Sequence, residues 1–373
     1  MSNRKEVSDI ILLTTLPQRY GHISGVKKNQ KIGKLLVKRF YTPEHKNKFF
    51  MQIVCYIFFA VQAFSYVGKN YKSFDLVLST SSRLGSGFLG YIIAFVFKKQ
   101  LALDIRDVFS DNLSSISFAD NSFGKLLIKI IKKIESVIIK KSNWVNFVSP
   151  GFFEYDHINP KHKKINMFTN GIDSVFIKNR SNYNNTNFKR GDILNIVYAG
   201  NIGYGQGLEK TVVKIASYFG PKISFTLIGD GSSIFMIEEQ IYKKNLSNVK
   251  IIKPVKREEL IKIYNYSDVL FLQLNDVEAF EKVLPSKIFE YGSFNKPLLA
   301  GVAGVAKDFI ENNLKASFIF PPADYEKAIG EVNKILELDN IKIDNSKFVS
   351  DFNREIIIKK MISNLIHTIK INT

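Results

Sequence analysis

The sequence predicts an α/β protein made of two Rossmann-like domains, whose parallel sheets face a central cleft. The chain has 373 residues, which is more than one ordinary domain and fits two. Short apolar runs alternate with longer segments of helical period, a pattern typical of parallel sheets built from βαβ units. A polar, Asn-rich segment at 178–191 separates two series of these runs and is typical of a linker.

The apolar runs are the predicted strands. The first series is 10–14, 76–79, 100–105, 144–149 and 165–168. The second series is 195–199, 224–228, 249–252, 269–272 and 297–301. In open sheets of this class ligands bind outside the carboxyl ends of the strands, so the loops that follow these runs are the candidate site.

The predicted domain division follows from the linker. Residues 1–180 form the first Rossmann-like domain, and residues 181–346 form the second. Residues 347–373 are a long run of helical period, which we expect to pack back against the first domain.

The composition excludes several classes of protein. A hydrophobic content of 45% is enough for packed cores, so the chain is not a disordered protein. A single cysteine, Cys55, excludes an internal disulfide framework and suits a reducing cytosol. Residues 1–8 are polar and the first apolar run is short, so we expect no secretion signal at this end.

The net charge of +19 lies mostly in the first half of the chain. Residues 1–180 hold 28 Lys and Arg against 12 Asp and Glu, a net charge of +16, whereas the remainder has a net charge of +3. This asymmetry indicates a polyanionic partner for the basic half, either anionic lipid or nucleic acid. Anionic lipid is favoured because zinc-finger spacing, a helix-turn-helix pattern and RNA-binding aromatic signatures are absent from the sequence. A general bias toward Lys, Ile and Asn is the interpretation that needs no partner.

Two segments could contact a membrane. Residues 49–67 contain no charge and are long enough to cross a bilayer. We expect a buried helix here, with a helix that dips into one membrane face as the alternative. A true span is disfavoured, because it would separate the first strand from the other strands of its sheet. Residues 124–141 place lysines between Leu and Ile, so they form either an interfacial amphipathic helix or a domain helix with a solvated lysine face.

The most informative segment is 284–301, with the sequence LPSKIFEYGSFNKPLLAG. Pro285 is favoured at the first position of a helix, and a helix N-terminus binds phosphate well. Lys287 adds a cation, and Glu290 lies one turn further along the same helix face, where it can accept hydrogen bonds from sugar hydroxyls. These groups predict a site for a diphosphate with a ribose beside it. The alternative is a solvated Lys–Glu pair at the start of a helix.

A glycine-rich turn follows the first strand of the second series. Residues 196–209, IVYAGNIGYGQGLE, contain glycines at 200, 203, 205 and 207, which let a ligand approach the backbone N–H groups. A dinucleotide site is the competing interpretation. It is disfavoured because the spacing G-x-G-x-x-G is not matched and the next strand ends in Gly-Asp-Gly.

The order of these motifs resembles the donor half of retaining GT-B glycosyltransferases of the family 4 type. The resemblance rests on AGNIGYGQGLE, FTLIGDG, NVKIIKPVKREEL, SDVLFLQL and LPSKIFEYGSFNKPLLAG, and it covers most of residues 190–335. Two segments of the first domain, LALDIRDVFSD and NMFTNGIDSVF, resemble the family more loosely. The likeness is greatest to bacterial enzymes of O-antigen and capsule assembly that transfer an amino sugar.

The resemblance implies a role for each matching residue. Lys287 would contact the diphosphate and Glu290 the ribose, with Ser286 beside them. The backbone around Val255 would contact the base, and the turn containing Gly200, Asn201 and Gly203 would face the phosphates or the sugar. Asp107 and Arg106 would lie across the cleft, near the transferred sugar and the acceptor. Asp104 and Asp107 could instead cap the following helix.

The sequence departs from the family pattern in its phosphate loop and before the helix. Many members carry an arginine and a lysine in the glycine loop, where this chain has Asn201 and Gln206. Many also carry a glutamate that touches the donor sugar, eight positions before the ribose glutamate. This chain has Lys282 there, next to Glu281. Lys287 is therefore expected to carry more of the interaction with phosphate.

The function implied is transfer of a hexose or N-acetylhexosamine from a UDP-sugar to a lipid-linked oligosaccharide, with retention of configuration. The acceptor would be carried on polyprenyl diphosphate at the inner face of the plasma membrane, to which the first domain would bind as a peripheral protein. We expect no nucleic-acid partner and no metal, since the sequence has neither an Asp-x-Asp pair nor a histidine cluster.

Two alternatives remain open. One is a non-catalytic partner in a membrane polysaccharide assembly complex, which keeps the fold without turnover. The other is a GT-B epimerase or an inverting transferase, for which His22 is the candidate general base.

Overall fold

The computed structural model describes residue 5 and residues 7–16, 26–43, 49–81, 84–114, 121–159, 165–180, 187–188, 192–338 and 341–371. Its strands are Ile10–Thr15 (β1), Asn29–Ile32 (β2), Leu35–Phe40 (β3), Leu76–Ser81 (β4), Gln100–Ile105 (β5), Trp144–Phe147 (β6), Asn166–Met167 (β7), Asn187–Phe188 (β8), Leu194–Asn201 (β9), Ile223–Asp230 (β10), Val249–Ile252 (β11), Val269–Gln273 (β12), Leu298–Gly301 (β13), Ser317–Phe320 (β14) and Ile341–Lys342 (β15). Its α-helices are Phe49–Lys69 (α1), Leu84–Val96 (α2), Phe109–Ser114 (α3), Ser122–Lys141 (α4), Ser174–Arg180 (α5), Val212–Phe219 (α6), Ile234–Lys243 (α7), Arg257–Tyr266 (α8), Glu278–Glu281 (α9), Ser286–Gly292 (α10), Gly304–Asn313 (α11), Tyr325–Leu336 (α12), Ser346–Asp351 (α13) and Arg354–Ile371 (α14).

Six parallel strands form the larger sheet, in the order β11-β10-β9-β12-β13-β14. The chain runs outward in one direction from β9 and in the other from β12, so the order reverses between these two strands. Two apolar clusters cover the faces of the sheet, one containing α6 and α12 and the other containing α8, α10 and α11. A sheet of this kind binds its ligand at the carboxyl edge beside the reversal. The predicted α/β fold with parallel sheets is confirmed.

The first half of the chain contains two sheets. Strands β4-β5-β6-β7 form a parallel sheet, and β1-β3-β2 form a separate small sheet. The predicted first strand therefore pairs with β3 rather than with β4, and the assumption that it belongs to the main sheet is wrong. The antiparallel hairpin of β2 and β3 was missed, because the strand NQKI is polar and fully exposed. Gly33, with φ of 55°, begins the two-residue turn between them.

Helix α1 is half-buried over most of its length and carries an exposed stripe, so the expectation of a buried helix is wrong. Only 17% of its apolar stretch is buried, and it packs inward through Cys55, Ala63 and Val67. Within the described ranges, α1 alone is long and apolar enough to cross a membrane. Its contacts with β1, β3 and α2 show that it lies against the first half of the fold. The sequence argument against a membrane span assumed that β1 shares a sheet with strands after α1. Because β1 pairs with β3 instead, that argument no longer applies.

The chain crosses between its two halves twice, and one carboxylate links the crossings. Ile172 and Asn353 form an isolated parallel bridge. Beside it, the Asp173 carboxylate contacts the guanidinium of Arg354 and lies 3.1 Å from that of Arg257. After this crossing, α14 packs on β6, where Trp144 Nε1 donates a 2.7 Å hydrogen bond to Asn364 Oδ1. The division at residues 180 and 346 stays a prediction.

Strands β9 and β10 approach closely at their carboxyl ends. Gly229 pairs with Gly200, and a Cβ atom added to Gly229 would lie 1.8 Å from the Gly200 carbonyl oxygen. Nothing larger than glycine fits there without moving one of the two strands. These strand ends are the base of the glycine-rich turn, so its geometry depends on Gly229.

The lysine just before β13, Lys296, is half-buried. Lys296 Nζ donates a hydrogen bond to the Ser267 carbonyl, which ties the end of the α10 connection to the start of β12. Burial lowers the pKa of the Lys296 ammonium to about 8, although the nearby Asp268 carboxylate acts in the opposite direction.

We predict that Gly229→Ala lowers the free energy of unfolding by about 3 kcal/mol or more, because the new methyl group overlaps a backbone carbonyl. Denaturant-induced unfolding measures this change. Gly330→Ala is the control, since Gly330 lies in α12 with nothing within 4 Å of an added Cβ, and it should stabilise the helix by about 1 kcal/mol. Equal stability of the two variants would contradict the close approach.

A second prediction concerns pH. Because the pKa of Lys296 is lower in the folded chain than in the unfolded chain, the unfolded chain binds more protons between pH 8 and pH 10. The free energy of unfolding should therefore rise across this window, with a slope approaching about 1.4 kcal/mol per pH unit. Lys296→Met should show a flatter profile in denaturant titrations at a series of pH values. Parallel profiles would show that burial of Lys296 does not shift its pKa.

Candidate functional site

The candidate site lies at the carboxyl edge of the larger sheet, beside the reversal of strand order. The glycine-rich turn 202–207 follows β9, and α10 begins after the loop that follows β12. The sequence predicted Pro285 as the first helical residue of α10, but it is the N-cap residue. Since α10 has only seven residues, the Lys287 side chain rather than the helix dipole is the main positive charge at this point.

Lys287 and Glu290 are the polar side chains that α10 presents to this edge. Their ammonium and carboxylate form an ion pair, and both side chains are mostly shielded, at 26% and 17% exposed. The Lys287 ammonium also lies 5.9 Å from the centre of the Tyr291 ring. The pair is therefore fixed in place, unlike a solvated surface pair.

The Lys287 side chain lies over the glycine-rich turn. A Cβ atom added to Gly200 would be 3.4 Å from Lys287 Cε, so the two predicted site residues are in contact distance. Below them, the Tyr198 hydroxyl donates a 2.6 Å hydrogen bond to the Asn201 carbonyl, and burial raises the pKa of this phenol. The structure thus brings Lys287 to the turn as the sequence predicts.

Tyr291 ties α10 to β9, a role that the sequence reasoning missed. Its hydroxyl accepts a 2.9 Å hydrogen bond from Ala199 N and donates one of 3.2 Å to the Ala199 carbonyl. Its ring packs edge-on against Tyr264, with the ring centres 5.5 Å apart. Since Tyr291 follows Glu290 directly, these bonds set the distance between the ion pair and the end of β9.

The two residues that replace the arginine and the lysine of the family's glycine loop bond to each other. Asn201 Nδ2 donates a 2.8 Å hydrogen bond to Gln206 Oε1, and the same oxygen accepts a 3.4 Å bond from Gly203 N. Gln273 Nε2 donates to the carbonyls of Gln206 and Gly207 from below. The turn is therefore held by neutral amides at the positions where the resemblance implies an arginine and a lysine.

The remaining predicted residues of this half lie at the same edge. Val255 follows β11 and packs partly buried against the apolar cluster of α8 and α10. Ser286 is the exposed first residue of α10, next to Lys287. Asn201 is the last residue of β9 and is exposed.

Arg106 and Asp107 follow β5 at the carboxyl edge of the first sheet. Arg106 contacts Asp104 and the side chain of Asn170, and Asp107 Oδ1 accepts a 3.0 Å hydrogen bond from Val108 N. Asp104 is buried and accepts a 2.8 Å bond from Asn146, so it holds the sheet rather than capping a helix.

The helix after Asp107 is capped by a residue that the sequence reasoning did not find. Glu135 Oε1 accepts hydrogen bonds from the backbone N–H groups of Phe109 and Ser110, at 3.0 and 3.3 Å. Its other oxygen lies 3.1 Å from His157 Nε2, which is also 3.1 Å from Ser110 Oγ. A carboxylate in the middle of the lysine-rich α4 thus fixes the segment that follows Asp107.

The two halves meet at Lys282, just before α10. Ser149 Oγ donates a 2.6 Å hydrogen bond to the Lys282 carbonyl, and the Lys282 ammonium lies 4.2 Å from the centre of the Tyr155 ring. Burial raises the pKa of the Tyr155 phenol, and a hydrogen bond to Asp111 and the charge of Asp107 add to this effect. Lys282 therefore contacts the first half of the chain, on the side where Asp107 lies.

Two expectations concern ligands and bases outside these contacts. Within the described residues, no group of three metal-ligating side chains comes together. His22, the candidate base of an inverting enzyme, lies outside the described residues.

Comparisons with known proteins agree with this geometry. Residues 179–348, somewhat less than half of the chain, match the family described as Glycosyl transferases group 1. No curated protein matches the chain. Among solved structures, sucrose-phosphate synthase from Thermosynechococcus elongatus has 15% identity and a TM-score of 0.70, covering 98% of this chain and 89% of that one. Anabaena HepE in complex with UDP-glucose has 15% identity and a TM-score of 0.62, covering 88% and 85%.

A third similar structure is α,α-trehalose-6-phosphate synthase from Burkholderia multivorans, with 8% identity and a TM-score of 0.70, covering 98% of this chain and 100% of that one. At these identities the likeness to solved structures shows the fold, and the match at residues 179–348 supports a glycosyltransferase. The expectation of an enzyme is confirmed. The chain has the GT-B fold and is a glycosyltransferase, and its residues 179–348 match the group 1 family.

Proposed function

We propose that the chain transfers a hexose or N-acetylhexosamine from a UDP-sugar to a lipid-linked oligosaccharide, with retention of configuration as in family 4 enzymes. The observation that carries the proposal is the Lys287–Glu290 pair, fixed against the glycine-rich turn at the carboxyl edge of the sheet. The UDP-glucose bound to the Anabaena protein of the same fold supports a UDP-sugar as donor.

Each member of the ion pair has a partner in such a donor. The Lys287 ammonium would donate hydrogen bonds to the diphosphate, and the ribose hydroxyls would donate hydrogen bonds to the Glu290 carboxylate. Because each group gains a partner as it loses the other, the ion pair can open without leaving a shielded charge uncompensated. Ser286 and the backbone at Gly200 and Gly203 would line the phosphates, and Val255 would lie beside the base.

Catalysis in this proposal is mainly electrostatic. Negative charge develops on the leaving diphosphate, and a fixed cation beside it lowers the barrier. The neutral Asn201–Gln206 turn contributes amide dipoles only, so Lys287 supplies the charge in place of a metal ion or further cations. Asp107 and Arg106 lie on the opposite half, where the acceptor hydroxyl would approach.

We propose that the acceptor is carried on polyprenyl diphosphate and that the enzyme acts in assembly of a surface polysaccharide such as O-antigen or capsule. The net charge of +16 in residues 1–180 and the exposed apolar helix α1 support a peripheral position at the cytoplasmic face of the plasma membrane. Each basic residue near an anionic surface contributes on the order of 1 kcal/mol to binding.

One prediction from the proposed function tests the donor site. Lys287→Ala should weaken UDP binding about tenfold or more, because a charge-assisted hydrogen bond contributes roughly 1.5–3 kcal/mol. Thermal-shift titration with UDP, GDP, ADP and NAD measures both affinity and selectivity. Lys243→Ala is the matched control, since it also removes a Lys–Glu pair from a helix of the second half, α7. It should leave UDP binding unchanged. Unchanged UDP affinity in Lys287→Ala would refute the site, and stabilisation by NAD alone would refute the donor class.

Another prediction from the proposed function separates the acceptor side from the donor side. Asp107→Asn should lower sugar transfer at least about tenfold through misplaced reactants, while UDP affinity stays at the parent value. Transfer is measured as UDP release from UDP-sugars with membrane extracts as the source of acceptor. Asp156→Asn, an exposed carboxylate on the same half, is the control and should transfer at the parent rate. Normal transfer by Asp107→Asn would exclude this residue from the reaction.

A further inference from the structure

The outer face of α1 changes character along its length. Its exposed residues recur every fourth position, in a stripe that begins with Ile53, Ile57 and Val61 and ends with Ser65 and Lys69. Phe58 lies beside the apolar part and is 48% exposed. The helix contains no acidic residue. Such a stripe fits an interface in which one part is apolar and the other is polar and negatively charged.

The polar end of the stripe opens into a groove between α1 and β3. This groove has a volume of about 550 Å³ and is lined by Lys38, Phe40, Val61, Gln62, Ser65, Tyr66, Lys69 and Asn70. Lys38 comes from β3 and Lys69 from the last turn of α1, so cations face the groove from both walls. The Lys38 ammonium lies 4.2 Å from the centre of the Tyr66 ring, which holds it against the helix.

Among the described residues, the groove has no negative charge of its own. No carboxylate of this part of the chain lines it, and neither Lys38 nor Lys69 forms an ion pair there. An anion of the size of a phosphate group would therefore meet two ammonium groups beside the aromatic rings of Phe40 and Tyr66. The site is complementary in charge to a phosphate, and Val61 belongs to both the groove and the apolar stripe.

We propose that this groove binds the phosphate headgroup of an anionic membrane lipid while the apolar stripe of α1 lies among the acyl chains. The inference rests on the membrane position in the proposed function, and not on the donor or the reaction. A lipid is favoured over a free phosphate because Ile53, Ile57 and Val61 lie in line with the cations. A lipid has acyl chains that would contact these apolar side chains, and a soluble anion has none.

Neighbouring helices continue the same surface. Helix α2 packs beside α1 and between α1 and α4, and it exposes Phe95 at 72%. Helix α4 exposes Phe123 at 67% and carries six lysines, whereas its one acidic residue, Glu135, faces inward and caps α3. The charge around the apolar side chains is therefore positive, which is the complement of an anionic bilayer.

The test is flotation of the full-length protein with vesicles of phosphatidylcholine alone and of phosphatidylcholine mixed with phosphatidylglycerol. Lys38→Gln/Lys69→Gln should lower the partition coefficient for the anionic vesicles roughly 30-fold, at ~1 kcal/mol for each cation near the surface. Ile57→Gln/Val61→Gln should lower binding to both kinds of vesicle about tenfold or more.

The control is Lys222→Gln/Lys250→Gln, which removes the same charge from exposed positions of the larger sheet. Its partition coefficient should stay near the parent value. Equal losses in the two lysine variants would show a general charge effect and overturn the groove. Parent-like binding by the groove variant would overturn it as well. Inorganic phosphate is the second probe: if phosphate alone stabilises the parent but not the groove variant, and vesicle binding is equal in both, the groove is a free-phosphate site and the lipid proposal fails.

Thermal shift with UDP separates this inference from the proposed function. All the groove and stripe variants should keep the UDP response of the parent, because none of the changed residues lies near Lys287. Loss of vesicle binding with an intact UDP response tests the groove alone. Absence of any UDP response in the parent would refute the proposed function and leave the vesicle result standing.

Discussion

The junction between the two halves of the chain depends on the Asp173 carboxylate. Asp173 contacts Arg354 and Arg257 where the chain passes from the first half to the second and back, and the Ile172–Asn353 bridge lies next to these contacts. The Asp173 side chain is only 20% exposed, so loss of either arginine would leave a shielded charge with one partner fewer. This junction ties the crossing that leaves the first half to the crossing by which the chain returns.

The candidate site combines a charged helix with a neutral loop. Tyr291 fixes α10 to the end of β9, and the Asn201–Gln206 pair closes the turn without any cation. The cation on α10 is Lys287, which Glu290 compensates. A compact arrangement of this kind keeps the ammonium in place, since the ion pair, the Tyr291 ring and Gly200 limit its rotamers from three sides.

The sequence predicted what local patterns determine. The apolar runs of the second half became β9 to β13 within two residues at either end. Lys287, Glu290 and Gly200 came together because Gly200 ends one strand of the sheet and the other two follow a neighbouring strand. Contacts between distant residues could not be predicted in this way. Glu135 caps α3 from 26 residues away, and Lys282 reaches Ser149 over 133 residues. The small sheet was missed because its hairpin strand is polar, and α1 was assigned to the interior because composition does not report which neighbours cover a helix.

The position of α14 has a consequence for how the protein is made. The face of β6 that holds Trp144 is covered by Asn364 and Leu365, and the hydrogen bond to Asn364 spans 220 residues. During synthesis this indole stays uncovered until α14 has left the ribosome, whereas the larger sheet can already close around its own helices. The sheet of β4 to β7 thus precedes the larger sheet along the chain but is completed after it, and its open face is the surface on which chaperones would act in the nascent protein.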